Sequence, residues 1–159
     1  MPVSFVKGDL FAPPEVRAYA HGCNCAGTMD AGVAVAFKKR FPRMFEEYRQ
    51  RCADGRFHLG DVFVWSEGDE TVYNLAIQDN WKTRPKVAAL TKALVKTLEL
   101  AEHGRVERVG LPRIGAGVGG LDWPRVRKVL SETGEQTTVE LVVFEQFIRA
   151  PAPSSGDPA

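Results

Sequence analysis

Pro112-Arg113-Ile114-Gly115-Ala116-Gly117-Val118-Gly119-Gly120 is the stretch on which the reading of this chain turns. An apolar segment, Val106 to Leu111, feeds it, and Asp122-Trp123-Pro124 then opens a helix. A glycine-dense turn between strand and helix brings backbone N–H groups close to a ligand at the positive end of a helix dipole. That setting suits a phosphate or diphosphate. The same turn also reads as a tight turn with no ligand. Gly115-x-Gly117-x-x-Gly120 matches a dinucleotide-binding pattern, with Glu140 at about the spacing of a ribose-binding acid. Such a pattern belongs to a first βα turn, however, and only one helix and one strand remain after this one. A nicotinamide-dinucleotide oxidoreductase is disfavoured for that reason, and a P-loop fails because no Lys-Ser or Lys-Thr closes the run.

A second loop of the same kind lies near the N-terminus. Ala18 to Gly22 reads as an apolar step into Cys23-Asn24-Cys25-Ala26-Gly27-Thr28-Met29-Asp30-Ala31-Gly32. A helix follows, with Val33, Phe37, Phe41, Phe45 and Tyr48 at helical spacing and Lys38, Lys39 and Arg40 on the other face. Pro42 should divide it into two shorter pieces. Val3 to Lys7 reads as a first strand. Asp61 to Ser66 and Thr71 to Ile77 read as a hairpin around Glu67-Gly68-Asp69.

Pro85 is expected in the first turn of a helix that buries Val87, Leu90, Leu94, Leu98 and Ala101 and ends near Gly104. Strand Val106 to Leu111, a helix from Trp123 to Thr133 and a strand from Thr138 to Phe144 complete the order. The apolar run Leu141-Val142-Val143-Phe144 suits a strand covered on both faces. Strands alternating with helices, interrupted by one hairpin, call for an α/β fold: a three-layer α/β/α sandwich with a mixed central sheet. Ligands in such sheets sit beyond the carboxyl ends of the strands, so both small-residue loops can line one crevice.

The 159 residues are the length of one domain, expected over 1–149, with 150–159 having the composition of a disordered tail. Twenty-one basic and 20 acidic residues leave a formal charge of +1, so no global field advertises stable nucleic-acid binding. No apolar run is long enough for a membrane span, and no signal peptide opens the chain. Cys23, Cys25 and Cys52 are too few and too unevenly placed for a disulfide framework, which points to a reducing cytoplasm. His21, Cys23 and Cys25 alternate along one side of an extended chain, but a fourth ligand is missing and the common zinc spacings differ, so no metal is expected.

His21-Gly22-Cys23-Asn24-Cys25-Ala26-Gly27-Thr28-Met29-Asp30-Ala31-Gly32-Val33-Ala34, then Phe41-Pro42, then Pro112 to Gly120 with Leu121-Asp122-Trp123, resembles the macrodomains, which are ADP-ribose-binding α/β/α modules. The likeness runs from Val3 to Phe147. Within that family it is greatest to the branch holding the terminal ADP-ribose glycohydrolases, the antitoxins that remove ADP-ribose from DNA, and the yeast ADP-ribose-1″-phosphate phosphatase.

The resemblance implies a set of ADP-ribose contacts. Asp9, followed by Leu10, would take the adenine amino group. Asn24 and the run Asp30, Ala31, Gly32 and Val33 would line the distal ribose and part of the diphosphate. Ile114, Gly115, Ala116, Gly117, Val118 and Gly119 would wrap the diphosphate, and Phe144 would lie against adenine, where aromatic stacking contributes about 1–3 kcal/mol per base.

For chemistry, His21 either protonates a leaving group or orients water, or is a strand-end histidine satisfied by backbone. Asp30 could serve as base, and Asp122 could approach the distal ribose or cap the helix at Trp123. The branch's glycohydrolases use a lysine where this chain has Gln78, and the acid of the human-type enzyme corresponds to Gly119. Lys82 substitutes for that lysine only in a shifted loop register. The implied activity is hydrolytic removal of ADP-ribose from protein or nucleic acid by a monomer without cofactor. An ADP-ribose-1″-phosphate phosphatase and a non-catalytic ADP-ribose reader are the alternatives.

Overall fold

The structure, a computed structural model, describes residues 3–117 and 120–147. The segment expected to be a tail, 150–159, lies outside them, as do Val118 and Gly119. Ten elements follow in chain order: β1 (Val3–Gly8), β2 (Ala18–Asn24), α1 (Val33–Arg40), α2 (Pro42–Ala53), β3 (Val62–Glu67), β4 (Glu70–Gln78), α3 (Val87–His103), β5 (Arg108–Pro112), α4 (Trp123–Gly134) and β6 (Glu140–Phe147). The strands form one sheet in the order β1-β6-β5-β2-β4-β3. Every neighbouring pair is parallel except β3 with β4, which is the antiparallel hairpin expected.

Alternation along the central strands explains the layers, because successive side chains leave a strand on opposite faces. Ala18 and Ala20 of β2, with Tyr73, Leu75 and Ile77 of β4, join Leu90, Leu94 and Leu98 of α3 and Val126 and Leu130 of α4 in one core. Tyr19 and Cys23, with Val72 and Ala76, join Phe37, Phe41, Met44 and Tyr48 of α1 and α2 in the other. Two cores on two faces make the α/β/α sandwich. Pro42 divides the first helical run as expected, standing in the first turn of α2, with Phe41 the junction between the helices. Glu70 ties α1 to the hairpin: its Oε2 accepts from Tyr19 Oη and from Arg40 Nη2, each at 2.8 Å. Burial pushes the Glu70 carboxyl up, but these bonds and the adjacent arginine charges outweigh it and hold the group below its usual range.

Most element boundaries move by a residue or more from those expected, and four of the shifts have a visible cause. Strand β2 runs on through Cys23 and Asn24 because these still pair with Ala76 and Gln78 of β4. Pro85 stands outside α3, since Lys86 is extended and donates its N–H to Ile77 O at 2.8 Å. Val106 belongs to the stop of α3 and not to β5. Its N–H donates to Ala101 O at 2.8 Å and the N–H of Arg105 to Glu102 O at 3.0 Å, the paired bonds of a Schellman motif. The left-handed residue of that motif is Arg105, at φ 60, and not Gly104. Thr138 is held by Glu102 Oε2 at 3.2 Å, which delays β6 to Glu140.

His21 falls on the α1 face of β2 and is fully buried. Its ring stacks on Phe37 with centroids 3.8 Å apart, and its Nε2 lies 2.6 Å from Asn74 Oδ1. Asn74 donates its Nδ2 to Phe63 O, so Oδ1 is the acceptor and Nε2 of His21 carries the proton. Nδ1 is left buried with no hydrogen-bond partner among the described residues. Desolvation lowers the His21 pKa to about 4, with the Asn74 bond opposing. The histidine is a neutral core residue, and the alternative of a strand-end histidine satisfied by backbone gives way to one satisfied by a side chain.

Two outcomes follow for stability. Arg105→Gly is expected to stabilise the protein by about 0.5–1 kcal/mol in urea titration, because glycine bears no left-handed penalty. The folded state holds His21 neutral, so its contribution is complete above pH 6.5 and is lost as pH falls toward 4. Urea titrations across that window should show His21→Leu flattening the acid limb of the stability curve by roughly 3 kcal/mol.

Candidate functional site

Strands β2, β4, β5 and β6 run parallel, so the segments after β2, β4 and β5 emerge at the same end of the sheet as the last residues of β6. The first wall is the loop after β2. Asn24 builds it: Oδ1 accepts from Ala26 N–H at 2.9 Å and Gly27 N–H at 3.1 Å, and Nδ2 donates to Thr28 Oγ1 at 2.8 Å. Tyr48 from α2 donates its hydroxyl to Asn24 Oδ1 at 2.9 Å. Asn24 therefore borders the cleft with its side chain taken up by the loop. Burial and nearby thiols push the Tyr48 hydroxyl far up, so it stays a donor.

The loop delivers Asp30, Ala31 and Gly32 to the start of α1. Gly32 has φ 62 and ψ −147, a conformation almost reserved to glycine. Helix α1 has no side-chain cap and no acidic residue in its first turn, and Gly32, Val33 and Ala34 at its positive end line the cleft.

The second wall is the loop after β5. Gly115 turns the chain at φ 72. Leu121 N–H donates to Gly115 O at 2.7 Å and Gly120 N–H to Gly117 O at 2.8 Å. A Cβ on Gly120 would stand 2.4 Å from Gly115 O, so only glycine closes this turn. Gly117 faces open space on its outer side. Ile114 is buried beneath the loop, and the expected contributions of Val118 and Gly119 lie outside the described residues.

A third wall, from the segment after β4, completes the cleft. Gln78 donates its Nε2 to Asn80 O at 2.9 Å and to Thr83 O at 2.8 Å, which folds residues 79–83 back on the strand end. Arg84 Nη2 donates to Gly120 O at 3.1 Å, linking this wall to the glycine loop. Trp81 is 68% exposed over the cleft, with Lys82 Nζ 5.1 Å from its ring centroid.

Between the walls lie two adjoining cavities of about 470 and 720 Å³ that share Gly22, Gly32, Gln78, Trp81 and Gly117. Their size is that of a small-molecule site. Both small-residue loops border the cleft, as does Lys82 in the first cavity and Asp30 in the second. Asp30 is exposed and pairs with Lys38 Nζ at 3.4 Å. Val33 and Phe144 line the first cavity, Phe144 being nearly buried.

Four residues stand apart from the two cavities. His21 is sealed in the core beneath α1. Leu10 is fully buried, close against Gly110. Asp9 accepts Phe11 N–H at 2.9 Å on Oδ1. Asp122 opens α4, but its side chain makes no capping bond; its carbonyl accepts from Arg125 and Val126, and it borders a separate shallow cavity with Arg84 and Arg125. Proline at the second position of α4 removes one donor that a cap would otherwise meet.

Arg113, Arg84 and Glu145 also line the first cavity or its wall, and the sequence reading assigned them nothing. Glu140 pairs with Arg108 Nε at 3.0 Å at the opposite end of the sheet from the glycine loop, so the ribose-acid role of a dinucleotide pattern is closed to it. Among the described residues, no three His, Cys, Asp or Glu side chains gather as a metal-ligand set.

Comparisons with known proteins agree with this geometry. The family model "Macro domain" matches residues 20–130. A DNA ADP-ribosyl glycohydrolase of Thermus aquaticus is 32% identical over 146 residues, covering 89% of this chain and 40% of the relative. The chain thus spans about two fifths of that protein's length. Human ADP-ribose glycohydrolase OARD1 is 30% identical over 142 residues, covering 89% of this chain and 90% of the relative. Among solved structures, the macrodomain of Mycobacterium tuberculosis DarG superposes with a TM-score of 0.83 at 28% identity, covering 94% of this chain and 98% of that one. The sandwich, the two small-residue loops and these matches place the chain in the Macro domain family.

Proposed function

We propose that this macrodomain binds ADP-ribose in the three-walled cleft and hydrolyses a bond at the distal ribose, releasing ADP-ribose from modified protein or nucleic acid. The observation that carries the reading is the meeting of two loops, the described residues 113–117 and 120 after β5 and the entry to α1, across one cavity system. Backbone N–H groups and a helix start form a concavity for a diphosphate without needing a net basic surface. That fits a chain whose formal charge is only +1. The names of the relatives, glycohydrolases acting on ADP-ribose linkages, support the reaction class.

The groups available for chemistry are those at the Trp81 end of the cleft. Gln78 faces both cavities with its amide nitrogen already donated to two carbonyls, so its oxygen is the end left to accept from water or a ribose hydroxyl. Asp30 supplies a carboxylate and Lys82 a cation on either side of it. His21 contributes no proton, being neutral and enclosed. Catalysis here rests on holding the ribose and a water in line more than on one strong base. A second reading, an ADP-ribose reader without turnover, is favoured by Gln78, which by resemblance falls at or near the lysine position of the branch's glycohydrolases. A reducing compartment and a monomeric state belong to the same proposal, in keeping with three free cysteines.

Calorimetry should show ADP-ribose binding, and Gly120→Ala should weaken it at least about tenfold, because the added carbon displaces Gly115 O from the loop. Release of ADP-ribose from glutamate-modified protein or from modified DNA would select the hydrolase. Phosphate release from ADP-ribose-1″-phosphate would move the assignment to a phosphatase, and binding without any turnover would leave the reader. A well-folded protein that does not bind ADP-ribose would remove all three.

A further inference from the structure

Glu145 is the one carboxylate lining the first cavity among the described residues, and it stands in a cleft otherwise built for an anion. A negative side chain beside a diphosphate is unfavourable unless a cation neutralises it, as Arg127 does here, or it meets hydrogen-bond donors on an uncharged part of the ligand. Its carboxylate is held fast. Oε2 accepts from Trp123 Nε1 at 2.8 Å and from Arg127 Nη1 at 2.9 Å, and Arg127 itself lies 4.0 Å over the Phe5 ring. Both donors meet the same oxygen, so Oε1 is left as an oriented acceptor with no partner among the described residues.

Position says which part of the ligand it meets. Glu145 follows Phe144 on β6 at an irregularity in the pairing with β1, and its carboxylate reaches α4 while Phe144 packs in the core beneath α1 and α2. Across the sheet, Phe144 pairs with Pro112, the residue before Arg113 and the glycine loop. Glu145 therefore borders the same cavity as the aromatic that would face a base and the loop that would hold phosphates, at the short interval where their strands pair. In an adenosine diphosphate the sugar occupies that interval.

We infer that Glu145 is a specificity-determining residue that accepts a hydroxyl of the adenosine ribose and excludes a 2′-phosphate on that sugar. The inference rests on the proposed binding of ADP-ribose in this cleft. The physical device is the one by which an acid reads a free ribose diol in dinucleotide sites. Here Glu145, not Glu140, has the position for it.

Calorimetry on the intact chain tests this with ADP-ribose, its 2′-phosphorylated form and the hypoxanthine analogue that lacks the adenine amino group. The wild type should prefer ADP-ribose over the 2′-phosphorylated form by roughly a hundredfold or more, about what one lost charged hydrogen bond and one added repulsion produce. In Glu145→Gln the amide oxygen turns to Trp123 and Arg127, leaving an NH₂ toward the ligand. The variant should bind ADP-ribose and the hypoxanthine analogue about tenfold more weakly, and the 2′-phosphorylated form no worse than wild type. Trp123→Phe, which frees the carboxylate to swing, should lower the preference without abolishing it. Thermal melts of both variants monitor folding.

An unchanged ratio between the two nucleotides in Glu145→Gln would overturn the inference while leaving the binding site standing. A loss that vanishes with the hypoxanthine analogue would assign Glu145 to the base and overturn it equally. Failure of the wild type to bind ADP-ribose at all would remove the inference together with the function it rests on.

Discussion

Parallel pairing of β2 with β4 on one side and β5 on the other is the constraint from which the site follows. Backbone hydrogen bonds between these strands fix the relative height of their ends. Three loops far apart in sequence then have no choice but to emerge together. Once that register is set, the loops need little more than local chemistry: Asn24 folding its own turn, Gly120 closing against Gly115, and Gln78 drawing in residues 79–83. The cores on the two faces hold the register by burying every alternate residue of β2 and β4, so a one-residue slip would exchange the contents of both cores.

The cleft's electrostatics come mainly from backbone and not from side-chain charge. Arg84, Lys82 and Arg113 border it, but the first donates to Gly120 O and the other two lie over Trp81 and Trp123. The start of α1, which has no side-chain cap, offers amide N–H along the cleft. Such donors are held in place before binding and lose no rotamer freedom when a phosphate arrives. Among the described residues each cavity has one bordering carboxylate, Asp30 in one and Glu145 in the other. A diphosphate in the middle with hydroxyl-bearing sugars outward is the charge distribution that this arrangement complements.

The sandwich was readable from sequence because its determinants are local. Pro42 splits a helix wherever it occurs, the Glu67-Gly68-Asp69 turn closes a hairpin, and Leu141 to Phe144 is apolar enough only for a strand covered twice. Both ligand loops were also visible, since glycine density after a strand is itself a local signal. What escaped depends on tertiary partners. Asn24 looked like a ligand group until Tyr48 arrives from α2 to engage the same oxygen. His21 at a strand end looked accessible, but Phe37 covers its ring and Asn74 Oδ1 accepts its N–H. Glu145 carried no motif at all, and only Trp123 and Arg127 reaching across from α4 single it out. At the end of α3 the obvious glycine misled: the bonds to Ala101 and Glu102 put the left-handed turn one residue later, on Arg105.

The central claim is that two loops, one after β2 and one after β5, grip a single diphosphate. Hydrogen–deuterium exchange of the intact chain with and without saturating ADP-ribose tests it most directly. Slowed exchange in both segments, residues 30–35 and 113–121, with the far end of the sheet around Arg108 and Glu140 unaffected, is the result this account predicts. Protection confined to one loop, or appearing instead along the α3–α4 face, would contradict it.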